Sequence, residues 1–415
     1  MREPDHRGRA RDGGIASQPK VPTAVASHGG DQAIPFFNQA PMFEELWPQL
    51  VEHVDDIVGR SKYSQGHKVA EFERAVQRYT GARHAIAVNN GTDALVLLLR
   101  ACGVEPGDEV VVPAFTFIAS ATSVALAGAT PVFADIDPDT YAIDVDSLAR
   151  AITPRTRAVM PVHLFWQMAD MDAVCEMARR HDIMVVEDSA EAIGMRWNGV
   201  HAGLLGKGGT LSFFPTKTLG AIGDAGMILT DDAEVARLSR MMRRHGWPDA
   251  DGDPLALTTQ QSQLSGTNSK MDELQAAILL TKLGRLDRDI ARRAELAEAY
   301  SQRLADIPGI LKLPRVVARN AETNPVFYVY LIEVERRDEL EAYLTGRGIV
   351  TETYYPIPLH QQPCFADLGY RPGDFPNAEA ACKRTIALPF YPDLTLEEVD
   401  RVCHGIRDFS VGRNK

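Results

Sequence analysis

The sequence predicts an α/β fold in which a mainly parallel sheet lies between two layers of helices. Short apolar segments, suited to burial on both faces, alternate with helical segments from about Ala82 to Thr230. This alternation is typical of parallel sheets whose crossover helices cover each face. A chain of 415 residues exceeds what one hydrophobic core usually supports, so we expect a large domain and a smaller one.

The individual elements follow from the same alternation. Strands are predicted at residues 84–88, 109–112, 130–134, 158–162, 183–187 and 227–230. Helices are predicted between them at residues 92–102, 118–127, 146–151 and 170–181. Because chemistry gathers at the carboxyl ends of parallel strands, the residues that follow these strands are the first candidates for a functional site.

The expected organisation has three parts. Residues 1–33 are rich in Arg, Gly, Asp and Ser without an apolar run, which predicts a disordered tail rather than a secretory signal. Residues 34–270 form the large α/β domain. Residues 271–415 form a linking helix (272–304) and a smaller α+β domain, with a strand at 326–334, a helix at 338–346 and a last helix at 395–409. Thr395 is well placed as the N-cap of that last helix.

Composition narrows the class of protein. Hydrophobic residues make up 45% and charged residues 24%, and the net charge of −12 comes without a long basic stripe outside the N-terminus. We therefore expect no nucleic-acid partner. The five cysteines contain no C-x-x-C pair, which predicts no disulfide framework, no metal site and a reducing, cytoplasmic location. No apolar run reaches the ~18 residues that would span a membrane, so no membrane partner is expected.

The segment Ser212-Phe-Phe-Pro-Thr-Lys217 is the most informative in the chain. It places a lysine in a polar turn that leads through glycines to the strand at 227–230. A lysine among apolar residues loses its proton more readily, and an uncharged amine condenses with aldehydes such as pyridoxal phosphate. Taken alone, the pattern fits a surface lysine equally well.

Three further motifs follow strands. Gly91 and Thr92 open a helix, where amides, a hydroxyl and the helix dipole suit a phosphate, although Thr is also an ordinary N-cap. Phe117 follows the strand at 109–112 and suits stacking on a pyridine ring, or a place in the core. Asp188 follows the strand at 183–187 and suits pairing with a pyridinium nitrogen, or capping a helix. The order of these motifs along one α/β domain favours a pyridoxal phosphate site.

With these motifs the chain resembles the DegT/DnrJ/EryC1/StrS family of sugar aminotransferases, which are fold-type I pyridoxal phosphate enzymes. The resemblance covers nearly everything from Ile34 to the C-terminus. It is carried by Asn90-Gly-Thr-Asp-Ala-Leu, by Gly107-Asp-Glu-Val-Val-Val-Pro-Ala-Phe-Thr-Phe, by Glu187-Asp-Ser-Ala-Glu-Ala-Ile-Gly194 and by the Lys217 segment. Further matches are Gly266-Thr-Asn268-Ser-Lys-Met-Asp-Glu-Leu-Gln-Ala-Ala277, Tyr355-Pro-Ile-Pro-Leu-His360 and Gly373-Asp-Phe-Pro-Asn-Ala-Glu379.

The resemblance implies a role for each matching residue. Lys217 would bind the cofactor covalently and then shuttle protons, with pyridoxamine phosphate as the intermediate form. Asp188 would pair with the pyridine nitrogen and Phe117 would stack on the ring. The phosphate would be held by Gly91, Thr92 and Ser212, and by Asn268 reaching across the interface of a homodimer with shared active sites.

The chain departs from the family's common pattern at three positions. Glu191 stands where many members have Gln, near the ring hydroxyl of the cofactor, and some sugar aminotransferases carry Glu there. Asn90 replaces a common Ser. Trp166 stands where Gly is frequent, and we expect it to reshape a substrate pocket that also includes Tyr355 and His360.

The resemblance therefore implies transamination of a keto-deoxy sugar on a nucleoside diphosphate (dTDP or UDP), with L-glutamate as donor, in antibiotic or surface-polysaccharide biosynthesis. Similarity around Tyr355–His360 favours amination at C3 over C4, whereas Glu191 is similar to the 4-amino group. Two alternatives stay open: an aminotransferase for a keto-cyclitol in aminoglycoside biosynthesis, and a regulatory protein on an inert version of the fold.

Overall fold

The alternating apolar segments form a seven-stranded sheet in the computed structural model, which describes residues 33–248 and 261–412. Most of the predicted tail, residues 1–32, lies outside the described residues. All residues of the strands Glu109–Pro113 and Gly226–Thr230 are buried, as expected for strands covered on both faces. The sheet strands are β1 (His84–Val88), β2 (Glu109–Pro113), β3 (Thr130–Ala134), β4 (Thr156–Val159), β5 (Met184–Asp188), β8 (Gly208–Ser212) and β9 (Gly226–Thr230). Between β5 and β8 lies a two-stranded hairpin of β6 (Arg196–Trp197) and β7 (Val200–His201).

The sheet is mainly parallel, with the strand order β1-β9-β8-β5-β4-β2-β3. Neighbours from β3 to β8 pair in parallel, and β9 runs antiparallel to both β8 and β1. Because β9 reverses the direction once on each side, β1 points the same way as β5 and β8. The carboxyl ends of these strands therefore meet at one edge of the sheet.

Helices surround this sheet and lead into the C-terminal part of the chain. Each face of the sheet has its own apolar cluster, one including Leu98 and Val110 and another including Val159 and Val174. The helices are α1 (Ala40–Arg60), α2 (His67–Thr80), α3 (Gly91–Ala101), α4 (Ala119–Leu126), α5 (Val145–Ala151), α6 (Met171–Arg180), α7 (Ala233–Met242), α8 (Glu273–Leu283), α9 (Leu286–Leu304), α10 (Arg337–Thr345), α11 (Pro376–Arg384) and α12 (Leu396–Val411).

A small antiparallel sheet organises the C-terminal part. It consists of β10 (Ile310–Lys312), β11 (Tyr330–Val334) and β12 (Thr385–Leu388) in that order. Tyr300 of α9 stacks on Tyr330 with ring centroids 4.8 Å apart, which anchors the helix to the sheet. The described residues from Ile34 onward form one compact unit. The division at residues 270/271 into a large and a smaller domain stays a prediction.

Two sequence predictions on this part of the chain were wrong in detail. The helix predicted at 272–304 is two helices, because Gly284 and Arg285 end α8 before α9 begins. The strand predicted at 326–334 is a strand only from Tyr330, because the amides of Val326 and Tyr328 donate instead to the irregular segment 165–166. The N-cap prediction was confirmed: Thr395 and Glu398 form a capping box at the start of α12.

No helix within residues 33–248 and 261–412 combines the length and the apolar character that crossing a membrane requires.

His201 of β7 is buried as a neutral imidazole. Its Nε2 accepts a hydrogen bond from the Gly194 amide at 2.8 Å, and its Nδ1 lies 2.6 Å from Ala202 O. Burial lowers the pKa of His201 from 6.5 to about 4. The unfolded chain binds a proton here below about pH 6.5. The folded chain does so only near pH 4, so the folded state loses stability as the pH falls through this window.

We expect His201 alone to lower the free energy of unfolding by about 2 kcal/mol between pH 7 and pH 5. His201→Gln keeps an acceptor for the Gly194 amide without a titrating ring, so it should lose this part of the pH dependence. Denaturation curves across this range measure the effect, with His404→Gln as the control because His404 is exposed. Equal acid sensitivity of the two variants would contradict the prediction.

Candidate active site

The candidate site lies at the carboxyl edge of the large sheet. Gly91 comes shortly after β1, Asp188 ends β5 and Ser212 ends β8. The shared direction of these strands brings together residues that are far apart in the sequence. The turn that follows Ser212 and contains Lys217 lies at the same edge.

A narrow cradle forms where β8 approaches the N-terminus of α3. A Cβ atom at Gly91 would lie 2.9 Å from Ser212 Cβ and 3.2 Å from Ser212 Oγ, so only glycine permits this approach. Asn90, rather than Thr92, is the N-cap, since Asn90 Oδ1 accepts from the Asp93 amide at 2.7 Å. The amides of Gly91 and Thr92 precede the intrahelical hydrogen bonds and are available to an anion.

Phe117 presents its ring at the surface of this edge rather than in the core. It is 55% exposed, whereas Phe115, two residues earlier, is fully buried. The ring of Phe117 lies 6.1 Å from that of Tyr355, measured between centroids. Tyr355 comes from the C-terminal part of the chain, so the two aromatic rings form one wall from distant segments.

Asp188 is a buried carboxylate with two donors. Its Oδ2 accepts from Ser120 Oγ at 2.6 Å, and its Oδ1 accepts from the Ala190 amide at 3.2 Å. Ser120 Oγ also lies 3.2 Å from Thr116 Oγ1. No α-helix begins directly after Asp188, so helix capping does not account for this residue. The carboxylate is held at a fixed orientation at the tip of β5.

Lys217 turns inward from its loop. Its side chain is 15% exposed, and Nζ lies 2.8 Å from Glu191 Oε1. The same amine lies 4.3 Å from the ring centroid of Tyr328. This position excludes the alternative of an ordinary surface lysine, since the amine is confined between a buried carboxylate and an aromatic face.

The segment at Phe165 links Glu191 to Tyr328. The Phe165 amide donates to Glu191 Oε2 at 3.1 Å, and the Phe165 carbonyl accepts from the Tyr328 amide at 2.8 Å. The Tyr328 hydroxyl lies 3.1 Å from Thr216 Oγ1, next to Lys217 in the chain. Burial, with the nearby Glu191 carboxylate, raises the pKa of Tyr328 to about 12. The phenol is therefore neutral and acts as a hydrogen-bonding group.

Two predicted substrate contacts lie elsewhere. Trp166 is 1% exposed, and its indole Nε1 donates to Arg315 O at 3.1 Å, which makes it a core residue. His360 is buried with Nε2 3.1 Å from Glu379 Oε1 and its ring against Phe375. Burial lowers the pKa of His360. These positions do not favour direct contact of either side chain with a substrate.

Asn268 lies at the surface beside the cradle, not within it. Its Oδ1 accepts from Lys270 Nζ. The next residue, Ser269, accepts from the Asn89 amide through both its carbonyl and its hydroxyl oxygen, at 3.1 and 3.2 Å. The backbone at Asn268 is thereby fixed to the segment that leads into α3.

Sequence reasoning missed Tyr328 and Ser120. Tyr328 was included only as part of the strand predicted at 326–334, and Ser120 only as part of the helix predicted at 118–127. No local spacing marks either residue, because each reaches the site through a partner more than 60 positions away in the chain.

The donor set fits a cofactor with a phosphate at one end and a basic ring nitrogen at the other. Glycine, amides and hydroxyls form the cradle at Gly91 and Ser212, which a Cβ atom would fill. A buried carboxylate stands at Asp188 and an amine at Lys217. These are the groups that pyridoxal phosphate requires from a protein.

The comparisons with known proteins agree in one family. The model of the DegT/DnrJ/EryC1/StrS aminotransferase family matches residues 46–407. The "pleiotropic regulatory protein" of Geobacillus stearothermophilus is 43% identical over 377 residues, covering 91% of this chain and 98% of that one. The dTDP-3-amino-3,4,6-trideoxy-α-D-glucose transaminase of Streptomyces venezuelae is 38% identical, covering 93% and 98%.

Among solved structures, the chain is similar to S. venezuelae DesV in complex with a ketimine intermediate. The two share a TM-score of 0.85 and 39% identity, over 92% of this chain and 99% of the other.

Ser120→Ala tests the support of Asp188. We expect a loss of about 2 kcal/mol in the free energy of unfolding of the cofactor-free protein, because Oδ2 of a buried carboxylate loses its donor. Ser123→Ala is the matched control, since Ser123 is buried in the same helix and donates only to Ser120 O. We expect that change to cost less than about 1 kcal/mol. Equal losses in thermal denaturation would argue against a charged acceptor at Asp188.

Proposed function

The chain belongs to the DegT/DnrJ/EryC1/StrS aminotransferase family of pyridoxal-phosphate-dependent enzymes, and we propose that it aminates a keto-deoxy sugar carried on a nucleoside diphosphate. Glutamate is the proposed amino donor. In the net reaction, glutamate and the keto sugar become 2-oxoglutarate and the amino sugar. The observation that carries the proposal is the confined amine of Lys217, 2.8 Å from Glu191 Oε1 at the edge of the sheet.

The cofactor, when bound, supplies an aldehyde that accepts an amino group and a ring that withdraws electrons from the reacting carbon. We assign its holding to residues at the carboxyl edge of the sheet. Gly91, Thr92 and Ser212 would bind the phosphate, with the helix dipole of α3 behind them. Asp188 would pair with the ring nitrogen and Phe117 would cover one ring face.

Lys217 is the proposed acid–base catalyst as well as the covalent anchor. Its Nζ would take a proton from one carbon and return it to another, and Glu191 Oε1, 2.8 Å away, would direct that nitrogen. The ring of Tyr328 closes the other side and limits the directions from which Nζ can approach. The fixed geometry supports rate because small displacements of a reacting group are costly.

Tyr355 is the proposed substrate contact that the geometry supports best. Its ring faces Phe117, and the two outline the open side of the site. Burial raises the pKa of Tyr355 well above its ordinary value, so its hydroxyl would act as a neutral hydrogen-bonding group. For Trp166 we propose an indirect role. Its ring stacks on that of Phe165, whose backbone amide donates to Glu191 and whose carbonyl accepts from the Tyr328 amide.

One relative's name favours a second candidate, a regulatory role. The complete set of Lys217, Asp188 and the Gly91 cradle supports catalysis instead, because an inert protein has no need of them. A keto-cyclitol acceptor for the same chemistry is the other alternative. The name of the S. venezuelae transaminase, with its 3-amino sugar, supports a nucleotide sugar and C3.

Lys217→Ala should abolish turnover, since no other amine lies beside the Glu191 carboxylate in the part of the chain that the structure describes. Borohydride reduction of the native protein followed by peptide mapping should place a pyridoxyl group on the peptide that contains Lys217. Circular dichroism of the variant checks that the fold persists. A label on another lysine would sink the assignment, and an absence of visible cofactor absorbance would favour the regulatory alternative.

We also propose a cytoplasmic homodimer in which Asn268 reaches the partner's phosphate site. The exposed position of Asn268 beside the cradle supports this proposal, as does the absence of a disulfide among the five cysteines, all of which are described. Mixing Lys217→Ala with Asn268→Ala protein should regain activity, because heterodimers then contain one intact site. No recovery after confirmed subunit exchange would count against shared sites.

The position of amination is tested with a panel of 3-keto and 4-keto nucleotide sugars on dTDP and UDP. With glutamate as donor, we expect faster turnover of the 3-keto sugar and nitrogen at C3 by NMR of the product. A sugar whose ketone lies one carbon further along the ring must rotate in the pocket to bring that carbon within reach of the same Lys217 Nζ. A misplacement of about 1 Å costs ~100-fold in rate. Nitrogen found only at C4 would overturn the C3 proposal and leave the aminotransferase assignment standing.

A further inference from the structure

The turn that carries Lys217 is closed by its own backbone. The Ala221 amide donates to Phe213 O, and the Lys217 amide donates to Phe214 O, both at 2.8 Å. Within the turn, Gly220 packs against the backbone of Pro215. A Cβ atom at Gly220 would lie 2.2 Å from Pro215 O and 2.7 Å from Pro215 C. A displacement of Gly220 therefore also displaces the backbone two residues before Lys217.

Helix α8 holds the end of this turn from behind. Lys282, in the last turn of α8, is 4% exposed, and its Nζ donates to the carbonyl oxygen of Gly220. Gln275 of the same helix accepts from the Ile222 amide at 3.1 Å through Oε1. The helix is thus bonded to residues on both sides of Ala221, the residue that closes the turn.

The amine of Lys282 is costly to bury. Within the described residues no carboxylate forms an ion pair with it, and Nζ lies 5.6 Å from the ring centroid of Phe43. Burial, together with Arg285 and Arg293 and against the carboxylate of Asp289, lowers the pKa of Lys282 from 10.5 to about 7. A methionine would fill a similar volume without this cost. Packing therefore does not account for the amine, whereas its hydrogen bond to the turn does.

We propose that Lys282 is a positioning residue for Lys217. Its hydrogen bond to Gly220 O fixes the turn of residues 213–221, and the turn fixes the direction from which Lys217 Nζ meets Glu191 Oε1. Both the charged and the neutral amine can donate this bond. The inference rests on the proposed function, since it takes Lys217 as the cofactor-binding amine.

Lys282→Met removes the donor and keeps most of the side-chain volume. The matched control is Lys312→Met, because Lys312 Nζ also donates to a backbone carbonyl, that of Pro138, and also lies against an aromatic ring. Hydrogen exchange of the cofactor-free proteins, read by mass spectrometry, needs no cofactor chemistry. We expect residues 213–221 to exchange at least about tenfold faster in Lys282→Met and to change less than about twofold in Lys312→Met.

The second readout is the rate at which added pyridoxal phosphate reacts with Lys217, located by borohydride reduction and peptide mapping. We expect about tenfold slower reaction in Lys282→Met and partial recovery in Lys282→Arg, which retains a donor. Failure of the wild-type protein to label at Lys217 would refute the proposed function. Normal labelling and normal exchange in Lys282→Met, with a labelled wild type, would refute the role of Lys282 alone.

If Lys282→Met does not fold, native-state exchange of the wild type decides the matter. A turn held by α8 should open together with that helix, so the amides of Lys217 and Ala221 should share the denaturant dependence of the amides of α8. Exchange of the turn through its own small openings, with α8 still protected, would overturn the proposal.

Discussion

The candidate site depends on the hydrogen bonds of one buried carboxylate, that of Glu191. A buried carboxylate is costly without partners, and Glu191 has two: Lys217 Nζ at 2.8 Å and the Phe165 amide at 3.1 Å. Through Phe165 it is also connected to Tyr328, whose amide donates to the Phe165 carbonyl. The Glu191 side chain thereby fixes the position of the Lys217 amine and of the irregular segment at Phe165. Through that segment it also fixes the Tyr328 ring beside the amine.

The α/β core could be predicted from the sequence because its information is local. Strands buried on both faces produce continuous apolar runs such as 110–113. Crossover helices such as α3 and α6 carry their own amphipathic pattern. The C-terminal half was harder to predict. Residues 326–329 have strand composition, yet the Val326 and Tyr328 amides bond to the backbone at 165–166 rather than to a sheet. That choice depends on a partner 160 residues away, which periodicity does not encode.

The residues of the candidate site fall into the same two groups, those marked by the local sequence and those placed by contacts with distant residues. Asp188 directly follows a predicted strand and could be found from its place in the sequence, since strand direction alone carries it to the edge of the sheet. Ser212 was found only through the Lys217 segment, because the strand that it ends, β8, was not predicted. Ser120 and Tyr328 could not be found, because their roles come from contacts across the fold. Trp166 is the converse case: the sequence placed it in the pocket, whereas its indole lies in the core, 1% exposed. The residue before it, Phe165, has a positive φ of 66°, which the local sequence did not predict.

The cost of this arrangement bears on whether the fold is catalytic. Asp188, Glu191 and Lys217 place three ionisable groups in a largely buried space, where apolar residues of similar volume would stabilise the protein more. Lys282 adds a fourth behind the turn, where burial lowers its pKa to about 7. A protein that used the fold only as a binding surface would gain stability by replacing them. Their joint presence around one amine is what an enzyme needs, because catalysis requires charged groups held in place at the expense of stability.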